Sequence, residues 1–501
     1  MDLLSDLMLG AQAAFSAWNL AYCLLGVFLG TAIGVLPGLG PTATIAMLLP
    51  VTFGLSPETA LIMLAGIFYG AQYGGSTTAI LVNLPGESSS VVTALDGYQM
   101  ARKGEAGKAL ATAAIGSFIA GSIATVLIAF FAPMLAGVAL AFGPHEYFSL
   151  MVLGLVASVV LASGSLLHAF GMILFGLILG LIGTDTNSGE MRYTFGMFEL
   201  ADGISFVIVA MGVFGLGEIL SNLENENDRS TVMAKITGLM PTRDDFRRMM
   251  APVLRGTAIG SVLGILPGGG AMLASFAAYA LEKKVSKHPE EFGKGAIEGV
   301  AGPESANNAG AQTSFIPMLT LGIPSNPVMA LMIGALIMQG IQPGPSVIQE
   351  QPVLFWGLIV SMWVGNLMLL VLNLPLIGLW VKMISIPYRY LYPCIVAFCL
   401  IGVFSLNNAT FDIWLMGLFG IAGYLLRKLD CEPAPLLLGF VLGPMLEEHL
   451  RRAMLVSKGD ATTFLTQPIS AVLLVLALLL LASVIAPSVR AKREEAFQEE
   501  E

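Results

Sequence analysis

The stretch Ile469–Pro487 carries no charged residue, and Met172–Gly183 lies inside a second such run. A helix needs about 20 apolar residues to cross the hydrocarbon core of a bilayer. Within that core every backbone N–H and C=O must be satisfied internally, which favours helices. The composition of the whole chain agrees. It is 56% hydrophobic and only 12% charged, against about 25% charged in soluble domains. Such a chain cannot cover itself with polar side chains, so lipid must cover it. We read an all-α polytopic membrane protein.

Several function classes are disfavoured. A net charge of −10, with basic residues confined to short clusters, carries no nucleic-acid signal. Cys23, Cys394, Cys399 and Cys431 have no metal or redox spacing and read as small core residues. The N-terminus lacks the positive region of a cleavable signal peptide. There is no Walker A motif, no His-Glu-x-x-His and no Gly-x-Ser-x-Gly, so neither ATP-driven transport by this chain alone nor enzymatic activity is expected. His145 and His288 fall in loops and His449 in a polar stretch. His168 reads as a single polar residue inside the bundle.

Charge sets the expected topology. No Lys or Arg precedes Arg102, and most later clusters belong in the cytoplasm by the positive-inside rule. Thr257–Leu281 is apolar but basic at both ends. A single crossing would leave one end outside, whereas a re-entrant hairpin keeps both inside. Its middle, Leu266-Pro267-Gly268-Gly269-Gly270, cannot continue a helix. Broken backbone at membrane depth is tolerated where it is buried in protein or lines a cavity. One region resists the scheme. Parity places Arg451, Arg452 and Lys458 outside, the charge rule places them inside, and Pro433–Met445 is short for a crossing.

The hairpin motif occurs twice. Gly30–Gly40 aligns without gaps onto Gly260–Gly270, with the glycines, a Leu and the Pro coinciding. Pro57-Glu58-Thr59-Ala60 then pairs with Pro303-Glu304-Ser305-Ala306, each read as a helix start. Gly70-Ala71-Gln72 pairs with Gly310-Ala311-Gln312. Leu84-Pro85-Gly86 and Ile323-Pro324-Ser325 each interrupt an apolar stretch. The first hairpin has no flanking basic residue, so it is expected to open from the outer face. The expected fold is therefore two inverted repeats, each with a re-entrant hairpin and a discontinuous helix, a pattern of secondary transporters. The expected division is 1–225 for the first repeat, 226–256 for a cytoplasmic linker, 257–490 for the second repeat and 491–501 for a charged cytoplasmic tail.

Polar residues at membrane depth cluster at the breaks. Free N–H groups at broken helix ends bind anions without needing Arg. Freed carbonyls, with Asn and Thr oxygens, suit a hard cation such as Na⁺. The substrate-binding candidates are Gly38, Gly40, Ser76, Thr77, Asn83, Gly86 and Ser88 in the first half. In the second half they are Gly268, Gly269, Gly270, Ser325 and Asn326. Thr78, Asn307 and Asn308 are candidate Na⁺ neighbours. Each Ser or Thr has a plainer alternative, bonding back to its own helix. No permanently bound cofactor is expected.

At these residues the chain resembles a known family. Gly34–Pro41, Tyr69–Leu81, Leu84–Gly86, Asp96–Tyr98 with Ala101–Gly104, and Gly302–Ala309 are similar to the large membrane subunit of bacterial tripartite tricarboxylate transporters. The resemblance implies an inner-membrane carrier for citrate or related carboxylates, driven by an ion gradient. It also implies a small membrane subunit and a periplasmic substrate-binding protein as partners, besides membrane lipid. Two other classes stay open on the residues alone: a membrane-embedded enzyme, and a non-transporting scaffold or receptor.

Overall fold

The computed structural model describes residues 3–485 apart from 37–38, 85, 140–141, 162–164, 186, 225–237, 267–269, 385 and 387. It is almost wholly helical. Among the described residues four helices are long and apolar enough to cross a membrane: Ala17–Gly34, Ala106–Val138, Phe206–Glu224 and Pro352–Asn373. Shorter apolar helices accompany them, so the chain is a multi-pass membrane protein. The described strands are a two-residue ribbon, Gly183–Thr184 against Met191–Arg192.

The first half opens with α1 (Leu3–Ala14) and α2 (Ala17–Gly34), the latter capped by the Ser16 hydroxyl. After the break, α3 (Pro41–Leu48) begins with a proline at its first position, where a missing N–H costs nothing. The long α4 (Pro57–Val82) also begins on a proline and is buried almost throughout. Then come α5 (Val91–Arg102), α6 (Ala106–Ala139), α7 (Pro144–Leu161), α8 (Leu166–Gly180) and α9 (Phe206–Glu224).

The second half repeats the opening motif. Helix α10 (Arg243–Leu263) is capped by Thr242 and Asp245, and α11 (Gly270–Val285) returns beside it. Arg255 holds Glu282 through two hydrogen bonds of 2.7 and 2.6 Å. Gly270 lies against the Leu263 carbonyl. Contacts at both levels make the two helices an antiparallel hairpin. Its tip, 267–269, falls outside the described residues. Next come α12 (Glu298–Thr313), α13 (Phe315–Leu321) and α14 (Pro327–Met338). They are followed by α15 (Pro352–Asn373), α16 (Ile377–Ile384), α17 (Tyr388–Asn407), α18 (Thr410–Lys428), α19 (Pro433–Val456) and α20 (Pro468–Ile485). The expected linker 226–256 is partly outside the described residues, and its remainder runs into α10. The expected tail 491–501 lies outside them entirely.

Glycine spacing welds each half together. Gly26, Gly30 and Gly34 on α2 sit against the backbone of Met63, Ile67 and Ala71 on α4. Gly256, Gly260 and Gly264 on α10 sit the same way against Gly302, Ala306 and Gly310 on α12. Without side chains at these turns the helix axes approach until backbone meets backbone, as in small-residue packing within membranes.

This pairing corrects two readings. Ala71, not Gly70, occupies the place of Gly310. Pro303 does not start a helix: it lies inside α12, five residues from its beginning. The helix start belongs to Glu298, and Glu304 is thereby carried into the interior.

A further reading is corrected in length. Helix α19 runs unbroken from Pro433 to Val456, so the crossing is not short. It is welded to α8 by Gly176 against Leu436 and by Gly439 against Ile173. At its far end Arg451 bonds Asp185 (2.9 Å) and Glu447 (2.6 Å), and Arg192 bonds Glu447 (2.9 Å). Asp185 belongs to the loop that leads into α9. The other end of α9 carries Glu218 and Glu224, the partners of Arg427 and Lys428. Arg451 and Arg427 therefore lie towards opposite ends of α9, each with its charge matched by carboxylates. The Asn187 backbone N–H, the Ser188 hydroxyl and Arg451 hold the Asp185 carboxyl down at about 2.

Candidate functional site

The two helix breaks have the same construction. Helix α4 ends at Asn83, whose backbone is left-handed (φ 56°). Helix α13 ends at Gly322, also left-handed (φ 70°). Asn and Gly are the residues that enter this region at least cost. Three residues further on, the Gly86 N–H donates to the Gly75 carbonyl (3.4 Å). At the matching place the Ser325 hydroxyl donates to the Ser314 carbonyl (3.3 Å). The next residue is extended in both breaks, Glu87 (φ −151°, ψ 161°) and Asn326 (φ −156°, ψ 171°), and each begins the following helical turn. The Asn326 side chain accepts the Met329 N–H at 2.9 Å.

The halves lock into each other at these breaks. A Cβ on Gly86 would strike Gly75 and approach the Gly34 carbonyl, and one on Gly40 would lie 3.3 Å from the Gly86 carbonyl. The first break is thus pressed between its own hairpin and α4. From the other half, α11 packs on the Ser88–Ser90 turn, while α3 packs on α14. Each hairpin touches the broken helix of the opposite half.

Between them lies a buried acid. Glu304 is 1% exposed. It accepts hydrogen bonds from Ser76 Oγ (2.6 Å), Thr93 Oγ1 (2.7 Å) and Asn308 Nδ2 (3.2 Å). Asn308 also donates to Ser117 Oγ at 2.6 Å. Glu87 accepts from Asn307 Nδ2 at 2.9 Å. Among the described residues neither carboxylate is paired with a Lys, Arg or His. Ser76, Thr77, Glu304, Tyr73 and Ser117 line a pocket that also touches Leu239 and Asn373.

The structure brings together Gly40, Ser76, Gly86, Asn307 and Asn308, while Gly270 opens the returning helix of the second hairpin. Ser325 is buried at the second break, and Asn326 is half-buried beside it. Asn83 and Ser88 lie on the exposed side of the first break. Gly38, Gly268 and Gly269 lie outside the described residues. The Thr77 and Thr78 hydroxyls donate to carbonyls of their own helix, at Tyr73 and Gly75. Among the described residues no hydrogen bond joins Thr78 to Asn307 or Asn308.

Glu304 and Glu87 were missed as site residues. The available signal was the run Glu304, Asn307, Asn308, which puts three polar groups on one side of a helix one turn apart.

The profile of the family described as the tripartite tricarboxylate transporter TctA family matches residues 20–438. An Agrobacterium vitis protein described as an uncharacterized 52.8 kDa protein in the TAR-I ttuC' 3'region is 63% identical over 501 residues, covering the whole of both chains. Another from Agrobacterium vitis, described as an uncharacterized protein in the TAR-II ttuC' 3'region, is 65% identical over 242 residues. That match covers 48% of this chain and all of the other. No solved structure matches.

Proposed function

Since the chain belongs to the tripartite tricarboxylate transporter TctA family, we propose that it is the subunit through which citrate or a related carboxylate crosses the bacterial inner membrane. Uptake is symport with a cation, Na⁺ being the first candidate, and the solute is handed over by a periplasmic binding protein. A small membrane subunit completes the assembly. The observation that carries this reading is the matched pair of helix breaks, each closed by a left-handed residue and each packed on a hairpin of the other half.

In this reading residues 1–225 and 257–490 are inverted repeats, joined by 226–256. The solute carboxylates lie where helices begin, at Gly40, Gly86, Ser88, Gly270, Ser325 and Asn326, with Asn83 beside them; Gly38, Gly268 and Gly269, outside the described residues, stay candidates by sequence. Helix N-termini attract anions through their free N–H groups. Ser76, Thr77, Thr78, Asn307 and Asn308 lie on the cation side, because Glu304 repels an anion placed there. Charges of opposite sign bound in one low-dielectric site stabilise each other.

The test is uptake of radiolabelled citrate and other organic acids by cells expressing all three components, with and without Na⁺. Uptake that needs this chain and a cation gradient supports the reading. Absence of uptake of every acid tried would remove it.

A further inference from the structure

Glu87 and Glu304 come from opposite halves of the chain and converge on one amide. Asn307 is fully buried, gives its Nδ2 to Glu87, and also reaches Glu304. Its Oδ1 has no hydrogen-bond partner. A buried acceptor without a donor is costly, and two neighbouring carboxylates, Glu304 buried and Glu87 half-buried, repel each other. One small positive charge relieves both.

Among the described residues the neighbouring elements put no Lys, Arg or His in an ion pair with either carboxylate. Helix α4 faces the site with Tyr73, whose hydroxyl is bonded to the Ala114 carbonyl. On α5, Asp96 is taken up by the N–H groups of Gly295 and Ala296 and the Tyr279 hydroxyl. On α6, Lys108 is paired with Asp245. On α10 and α11, Arg255 and Glu282 are paired with each other, and on α12 Glu298 is paired with Arg248.

We propose that Glu87 and Asn307, backed by the fixed charge of Glu304, bind a small monovalent cation, a proton or Na⁺, at the seam between the two halves. This deepens the transport reading, on which it rests only for the cation's role as coupling ion. Both sources use the same groups. Na⁺ takes the Glu87 carboxylate and Asn307 Oδ1 as oxygen ligands. A proton on Glu87 supplies the donor that Oδ1 lacks, once the amide turns over. Glu304 differs in role. Its oxygens already hold three donors, so it supplies negative potential and positions Asn308. Occupancy ties the first break to α12, so cation binding and closure of the seam favour each other.

The test uses the purified full chain in lipid nanodiscs, without solute. One arm measures saturable ²²Na⁺ binding at alkaline pH. The other follows the infrared C=O band of a protonated carboxyl during a pH titration without Na⁺. The expected result is a signal in one arm: either ²²Na⁺ binding falls at least tenfold in Glu87→Gln and Asn307→Ala, or the titrating carboxyl band is lost in Glu87→Gln and its proton affinity shifts at least tenfold in Asn307→Ala, with Glu58→Gln unchanged in both arms. Which arm responds identifies the cation. A wild-type protein silent in both arms, or a signal that survives both substitutions, overturns the proposal. If Glu87→Gln does not fold, Asn307→Ala decides. Neither arm depends on transport. Binding without carboxylate uptake would sink the transport reading and keep the site, and uptake without binding would do the reverse.

Discussion

Gly34 lies so close to Ala71 that a Cβ on the glycine would come within 2.6 Å of the alanine Cα. Gly264 stands in the same relation to Gly310. Gly34→Val or Gly264→Val should therefore force the helix pair apart. Overpacking costs about 1–3 kcal/mol where side chains can yield, and more where the obstacle is backbone. Thermal unfolding in detergent should show a clear loss for both variants and little change for Gly54→Ala, where the space is open. Equal behaviour of all three would contradict the weld.

Asn326 separates a structural role from a binding role. Its side chain caps α14, so Asn326→Ala should lose about 1 kcal/mol of stability. Asp caps as well as Asn, so Asn326→Asp should fold normally. If the solute carboxylate lies beside it, the added charge should raise the apparent KM for uptake at least tenfold. Asn83→Asp, on the exposed side of its break, should show a smaller loss. Normal kinetics in Asn326→Asp would reduce that residue to a cap.

Sidedness can be read by labelling. In a background with Cys394 and Cys431 replaced by Ser, Arg247→Cys and Lys287→Cys should react from the same side of the membrane, the cytoplasmic one. Ala461→Cys, just beyond the Arg451 end of α19, should react only from the opposite side. Reaction of Arg247→Cys and Lys287→Cys from different sides would replace the hairpin with a spanning helix.

Asp185 supplies a pH prediction. Its carboxyl is held at about 2 in the folded protein, below the ordinary value of about 3.9. A depressed carboxyl stabilises fully above its unfolded value, and that contribution fades as the pH falls towards the folded one. Asp185→Asn should thus be less stable than wild type at neutral pH, and the gap should narrow as the pH drops from about 5 towards about 2. A gap that stays constant would mean the carboxyl acts by shape alone.

Much of this fold can be read from the chain because its interruptions are chemical. Pro-Gly runs cannot continue a helix, so the breaks before Pro41 and Gly270 and after Val82 and Leu321 are visible as sequence. The buried acid is not. Ser76 and Thr93 meet Glu304 only through tertiary packing, and Pro303 reads as a helix start because proline is commonest there. Helix α19 misleads for a related reason. Glu447, Glu448 and Arg451 look like the end of a span, yet they continue the helix into an ion-paired surface.

The reciprocal docking of the hairpins also has a consequence in time. The Ser88–Ser90 turn packs on α11, and α3 packs on α14. Both partners lie in the second half of the chain. At about 5–20 residues per second of synthesis, the first half waits on the order of ten seconds or more for them. During that interval only the faces of α3 and of the first break that α14 and α11 later cover are turned to the insertion machinery or lipid. The chain can reach its native arrangement only after the ribosome has passed residue 338, so a nascent chain stalled before that point should be a substrate for membrane quality control.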